Sequence, residues 1–316
     1  MGSIMSGAVA RMVARPLVLP RGTAPWQRGL TMWSVRFALT LAAGLVAAGL
    51  VLLGLGPRVG PDGRCRLRAV APYLLVAGGV IGLYALWQFA LDLLIVHTAG
   101  ALRRGRAIVH IEQAVHVPSE ASFQRLALHA PWLVQAANRY YAWVDFPGLC
   151  AALTWLFWRH RDRFAHYLVT LIAVTGICAF IQAIPVAPPR LTPGFGFVDT
   201  AARFHQFVYP PGASDPGVLT TMPSVHVAWA ALVAVMICGA GASRWRWAFI
   251  AHPVLTMAVV VVTGNHFWAD GIVALAILGA TMAVQSGVIR HLRRSRGSAL
   301  SRQGYDATAN NHATIS

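Results

Sequence analysis

Seven stretches of the chain are almost continuously apolar: about 37–56, 69–96, 142–158, 167–185, 223–242, 247–264 and 267–289. Each is close to the roughly 20 residues that a helix needs to cross a hydrocarbon core. Gly and Pro within them are acceptable, because neighbouring helices in a bundle satisfy the backbone groups they free. Two connections are longer than helix–helix links require. Residues 104–141 interleave Ile108, Ile111, Val115, Leu126, Leu128, Leu133 and Val134 with Glu112, Glu120, Gln124, Arg125 and Arg139. That pattern predicts short amphipathic helices lying in the membrane interface. Residues 186–222 are rich in Pro, Gly and aromatics and read as a surface connection.

The expected fold class is all-α, a polytopic membrane helix bundle of about six core spans plus one N-terminal span, with interfacial helices. The expected organisation is an N-terminal arm over 1–36, an extra span and loop over 37–68, a membrane domain over 69–296 and a disordered polar tail over 297–316. The arm is a poor signal peptide, because its first apolar run begins late and no cleavage site follows. No internal repeat is visible.

Composition sharpens this picture. The chain has 316 residues, of which 57% are hydrophobic and only 11% charged. A soluble domain carries about 25% charged residues, so the charges here are too few to solvate a soluble surface. The net charge of +16 comes entirely from arginine, since the sequence contains no lysine. The arginines cluster between apolar runs: Arg103, Arg104 and Arg106; Arg159, Arg161 and Arg163; Arg244 and Arg246; Arg290, Arg293, Arg294 and Arg296. Such clusters mark cytoplasmic loops of membrane proteins, whereas a nucleic-acid binder would show one continuous basic face. No nucleic-acid partner is expected. Cys150, Cys178 and Cys238 fall in apolar runs at no ligand spacing and read as small buried hydrophobes.

Three strings carry the groups able to do chemistry. Arg190 stands alone in Ile184–Leu191, behind two prolines that end the fourth run. Met222–Trp229 opens the fifth run with Pro223, Ser224 and His226. Pro223 suits the first turn of a helix, whose free N–H groups, with the Ser224 hydroxyl, make a ready anion site. Thr263–Gly271 separates the sixth and seventh runs, with Asn265 as an expected N-cap. His266 and Asp270 are four apart and share one helix face. A carboxylate on one ring nitrogen fixes the tautomer and leaves the other nitrogen free. Helix parity puts all three strings on one side of the membrane and the arginines at 159–163, 244–246 and 290–296 on the other. By the positive-inside rule the strings are then exoplasmic. Continuing the count backward gives seven spans, an exoplasmic N-terminus and a cytoplasmic 57–68 loop. The five arginines of residues 1–36 and the cluster at 103–106 run against that rule.

Arginine and helix N–H groups hold phosphate oxygens, one histidine can attack phosphorus and a second can protonate the leaving oxygen. The set therefore points to an enzyme acting on a lipid-linked phosphate or diphosphate in the membrane. Two alternatives stay open: ionisation of a prenyl diphosphate, and a lipid headgroup binder or transporter without turnover. No cofactor and no metal are expected, since no Asp-rich motif appears and the histidines are explained without one. The sequence carries no signal for an oligomeric state.

The strings resemble those of the type 2 phosphatidic acid phosphatase superfamily, at the branch that includes fungal inositol phosphorylceramide synthase and its bacterial relatives. The resemblance covers roughly residues 80–289 and rests on Pro-Ser-x-His at Pro223–His226, His-x-x-x-Asp at His266–Asp270 and the Pro-rich segment before them. It implies that His266 is a nucleophile forming a phosphohistidine, Asp270 its orienting carboxylate, His226 the general acid and Ser224 a phosphate contact. It also implies phosphatase or phosphotransferase activity without a cofactor, in a bacterial plasma membrane. The chain departs from the family's phosphatases in lacking the Lys-containing motif. It also holds Val259 and Val260 where a Ser-Arg pair usually stands. Arg190 is the replacement phosphate clamp expected on that ground.

Overall fold

A computed structural model describes residues 35–55, 61–94, 99–206 and 216–313. Most of the expected N-terminal arm and part of the 57–68 loop lie outside the described residues. The described chain is helical, with an isolated parallel bridge between Val186 and Thr220. It forms an all-α membrane bundle. Helices α1 (Val35–Leu55) and α2 (Pro61–Leu94) come first. They pack along each other through small residues, as helices in lipid do. A Cβ on Gly78 would lie 2.9 Å from the Ala42 carbonyl oxygen, so only glycine allows this approach.

The 104–141 segment folds as three short helices, α3 (Ala101–Ala114), α4 (Glu120–Ala127) and α5 (Pro131–Trp143). Ser119 caps α4 by accepting the Ser122 N–H, and Pro131 opens α5. Ile111, Val115, Leu126 and Trp132 point outward, all more than 60% exposed. That outward apolar surface belongs in lipid headgroups and acyl boundary, as expected of interfacial helices. Tyr140 fastens α5 by hydrogen bonds with His252 (2.8 Å) and Thr256 (3.0 Å).

The remaining runs are α6 (Asp145–Arg159), α7 (Arg161–Gln182), α9 (Val225–Ala240), α10 (Ala251–Val262) and α11 (Trp268–Ala313), with a short helix α8 (Thr200–Arg203) in the Pro/Gly connection. The sixth run starts as a 3-10 helix over Arg244–Ile250. Four stretches are long and apolar enough to cross a membrane, Ala38–Leu55, Arg161–Gln182, Arg244–Val262 and Trp268–Leu292. Shorter apolar helices cover Val70–Leu86 and Val225–Ala240. Helix α11 continues through the polar residues after Gly297, where a disordered tail is expected from composition; no proline interrupts it there.

Helix α9 is the centre of the bundle. Leu232 and Met236 pack with Leu149, Leu153 and Leu156 of α6 and with Leu171 and Val174 of α7, all fully buried. The Trp229 indole N–H donates to Thr175 Oγ1 at 3.0 Å. The outer faces are apolar and unburied, with Phe180 78% and Val284 67% exposed, which only lipid would solvate.

The bundle has two chemically distinct ends. Arg163 donates to the Gly239 carbonyl and Arg246 to the Gly241 carbonyl (2.6 Å), both at the C-terminal end of α9. Gln285 reaches the His166 carbonyl at 2.9 Å, so α11 carries its own arginines toward that same end. Ser224 and His226 sit at the opposite end. The interfacial helices join them there: Gln124 of α4 donates to the Val262 carbonyl at the C-terminal end of α10 (3.0 Å).

Candidate active site

The polar strings of the 186–226 and 263–270 regions meet in one cleft, whose lining includes Arg190, His226, His266, Tyr141, Gln182 and Asn265. His266 lies in the turn between α10 and α11 and is 4% exposed. Its Nδ1 is 2.7 Å from the Thr221 carbonyl oxygen and 3.2 Å from Asp270 Oδ2. A carbonyl oxygen can only accept, so Nδ1 carries the ring proton and Nε2 keeps its lone pair. The sequence singled out Asp270 as the partner, while the structure adds the closer Thr221 carbonyl. A backbone acceptor leaves no trace in residue type, so no sequence signal could have revealed it.

Asp270 is itself held. Its Oδ2 accepts the Phe267 N–H at 2.9 Å, and its backbone carbonyl accepts the Ser224 N–H at 3.1 Å. The second contact ties the first turn of α11 to the start of α9, and so fixes the two motifs relative to each other. His226 stacks on Tyr141 with ring centroids 4.4 Å apart, and its ring lies 5.9 Å from that of His266. His226 Nδ1 has no hydrogen-bond partner among the described residues.

Two capping expectations are corrected. Pro223 is not in the first turn of α9; it follows a cis peptide and precedes Ser224, which is the N-cap. The Ser224 hydroxyl accepts the Val227 N–H at 3.5 Å and is fully buried; of the expected site residues Arg190, His226 and His266 line the cleft, while Ser224 and Asp270 lie behind it. Its proton remains free to donate, because a hydroxyl can accept and donate at once. Asn265 is not the N-cap of α11, which begins at Trp268. Its amide instead donates to Thr263 Oγ1 at 2.8 Å. The carboxyl groups of Asp270, Glu120 and Glu112 take the amides at the start of α11.

Arg190 sits in a 3-10 turn over Pro189–Leu191, with its N–H on the Gly264 carbonyl at 3.0 Å. Its Nε is buried and has no partner among the described residues, leaving guanidinium donors for an anion in the cleft. Gly264 has φ +71°, and a Cβ there would lie 3.3 Å from Arg190 Cβ and 3.1 Å from Gln124 Nε2. Glycine therefore permits both the left-handed turn and the approach of Arg190 to the histidine loop. Arg203, the other arginine of this connection, is exposed and lies over the Phe204 ring, outside the cleft. Val260 is fully buried, and its carbonyl accepts the Asn265 and His266 N–H groups; the position is core, with no room for a phosphate clamp.

Sequence reasoning did not single out Tyr141 or Gln182. Gln182 ends α7 and donates to the Thr220 (3.1 Å) and Pro223 (2.9 Å) carbonyls, which anchors the strand of backbone that carries Thr221. Gln124, noted in the sequence only as a polar residue among apolar ones, binds the Val198 backbone on both sides and the Val262 carbonyl. Only the meeting of distant segments gives these amides their partners.

A helical membrane bundle with a buried His–Asp pair, a second histidine and an arginine whose Nε has no partner among the described residues, gathered about one cleft, has a site suited to phosphate esters. A family model described as the PAP2 superfamily matches residues 106–284, more than half of the chain, and the protein belongs to that superfamily. Its function is accordingly of the phosphatase type, in lipid phosphoryl transfer. No curated protein and no solved structure matches the chain significantly.

Proposed function

We propose that the protein moves a phosphoryl group from a lipid-linked phosphate or diphosphate to water or a polyol hydroxyl, through a phosphohistidine on His266. The observation that carries this reading is the fixed tautomer of His266, with Nδ1 committed to Thr221 and Asp270 and Nε2 left as the nucleophile beside Arg190 and His226. In the first step Nε2 bonds to phosphorus, the ester P–O bond breaks and His226 gives its proton to the leaving oxygen. In the second, the acceptor oxygen attacks phosphorus, the N–P bond breaks and the acceptor's proton passes to His226. Asp270 orients His266 and supports the imidazolium charge. Arg190 binds the phosphoryl oxygens, and Ser224 caps the start of α9, which carries His226. The Pro-rich segment before these motifs favours the branch that transfers phosphoryl groups to inositol-type alcohols.

The test is turnover by the purified protein against phosphatidate, isoprenoid phosphates and diphosphates, and phosphoinositides, each with and without glycerol or myo-inositol. Rapid acid quench should trap an acid-labile phosphoenzyme. Release of an alcohol with neither phosphoenzyme nor phosphate transfer would refute the reading. His226→Ala should lose roughly 10²–10⁴-fold on an alkyl phosphate, the usual worth of a general acid. On an aryl phosphate, whose leaving oxygen needs no proton, most of that loss should disappear. An equal loss on both would assign His226 to substrate positioning.

We further propose that the site is exoplasmic, because the arginine-rich end of the bundle lies opposite it. A cysteine introduced at Ser119 should then react with an impermeant thiol reagent on intact cells, and one at Gly63 should not. The reverse labelling pattern would put the site in the cytoplasm.

A further inference from the structure

The first turn of any helix exposes amides with no intrahelical acceptor. In α11 these amides follow directly on His266, and two of their partners come from far away in the chain. The Phe267 N–H goes to Asp270, the Ala269 N–H to Glu112 Oε1 at 2.8 Å and the Trp268 N–H to Glu120 Oε1 at 3.4 Å. Glu112 belongs to α3 and Glu120 to α4, and both are 4% exposed. The corner between these helices also accepts the Trp268 indole N–H, on the Pro118 carbonyl at 2.9 Å, and Phe123 packs on the Trp268 ring at 5.5 Å.

Two buried carboxyl groups side by side need a reason. Glu112 Oε2 meets no N–H donor among the described residues. Burial, then a hydrogen bond to Glu120, pushes the Glu112 carboxyl up to about 9, so it is neutral near pH 7 and its proton joins the pair. A neutral partner suits this place. Glu120 and Asp270 are the carboxyl groups that raise it by charge, and a further full charge beside them would oppose an anionic substrate. The pair thus grips α11 with one negative charge instead of two.

We propose that Glu112 and Glu120 are positioning residues, which hold the first turn of α11 and through it the His266–Asp270 pair in the geometry for attack. The proposal rests on the phosphohistidine reading above for its kinetic consequence, but not for its structural one. The chain of contacts is continuous. Glu112 and Glu120 bind Ala269 and Trp268, the adjacent Phe267 amide binds Asp270 Oδ2, and that same oxygen contacts His266 Nδ1. An error of about 1 Å in a reacting group costs roughly 10²-fold in rate.

The experiment compares the full-length wild-type protein with Glu112→Ala, Glu112→Gln and the double variant Glu112→Ala/Glu120→Ala in detergent. Hydrogen exchange is read on peptides covering 266–270, and kcat and KM on the ester of the panel that wild type turns over fastest. Glu112→Ala should exchange at least tenfold faster at Phe267–Ala269, with kcat lower by about 10–100-fold and KM within about threefold. Glu112→Gln keeps an acceptor for the Ala269 amide and an N–H for Glu120, so it should restore both readouts to within about threefold of wild type. Unchanged exchange at 267–269 in the double variant overturns the proposal whatever the activity. So does a Gln variant as impaired as Ala, or faster exchange spread over the whole protein, since either would mark a role in folding alone. Wild-type turnover by His266→Ala would sink the phosphohistidine reading while leaving the exchange result intact, so the two failures can be told apart.

Discussion

Replacing His266 by Ala is expected to lower turnover by roughly 10⁴-fold or more, because nucleophile and tautomer-fixing network are lost together. His266 is the group in the cleft whose ring is bonded at one nitrogen by a carbonyl and a carboxylate, with the other nitrogen free. Alanine also strands the buried Thr221 carbonyl, a cost of about 1–3 kcal/mol in stability. His266→Gln offers an N–H to that carbonyl, and comparing its melting temperature and turnover with those of Ala separates chemistry from folding. Both variants should lose the acid-labile phosphoenzyme. A His266→Gln protein that still forms it would move the nucleophile elsewhere. Asp270→Asn should lose roughly 10³–10⁴-fold, since an amide cannot support the imidazolium charge and can present the wrong group to Nδ1.

Arg190→Ala is expected to lower kcat/KM by roughly 10²–10³-fold, the usual worth of a preorganised donor to developing phosphoryl charge. Arg190→Lys should recover little of it. A lysine ammonium is a point charge, whereas the guanidinium offers a planar fork to two oxygens. The loop itself should survive both changes, because the contact from Arg190 to Gly264 is made by the backbone N–H. The measurement is kcat and KM for each variant on one phosphomonoester, with added guanidinium as a rescue agent for Ala. Full activity in Arg190→Ala would take the clamp away from this residue. Arg203 would not inherit the role, since it lies outside the cleft, and the first-turn amides of α9 would be the next candidates.

Much of this molecule follows from its residue pattern. Apolar runs of spanning length become helices whatever their neighbours, because an unpaired backbone in lipid is too costly. The runs at 167–185, 223–242 and 267–289 correspond to α7, α9 and α11. Helix parity alone brings Arg190, His226 and His266 to one end, and the bundle does place them in one cleft. The mixed pattern of 104–141 likewise predicts interfacial helices, and α3, α4 and α5 expose Ile111, Leu126 and Trp132.

The capping groups were not legible in the same way. Pro223 and Asn265 each have the local chemistry of a helix start, yet Ser224 and the carboxyls of Glu112, Glu120 and Asp270 take those places. A cap needs only one acceptor within reach of an amide, and in a packed bundle that acceptor can come from any segment. The partners of α11 lie 148 and 157 residues away in the chain, a separation no local pattern encodes. The same holds for the Thr221 carbonyl on His266 and the Tyr141 ring on His226. Hydrophobic period and residue type are enough to read off the helices, the end of the bundle at which each polar string falls and the side chains able to carry chemistry. The tertiary structure alone decided which nitrogen of His266 is free and what holds its loop, because hydrogen bonds are short and directional and select single atoms.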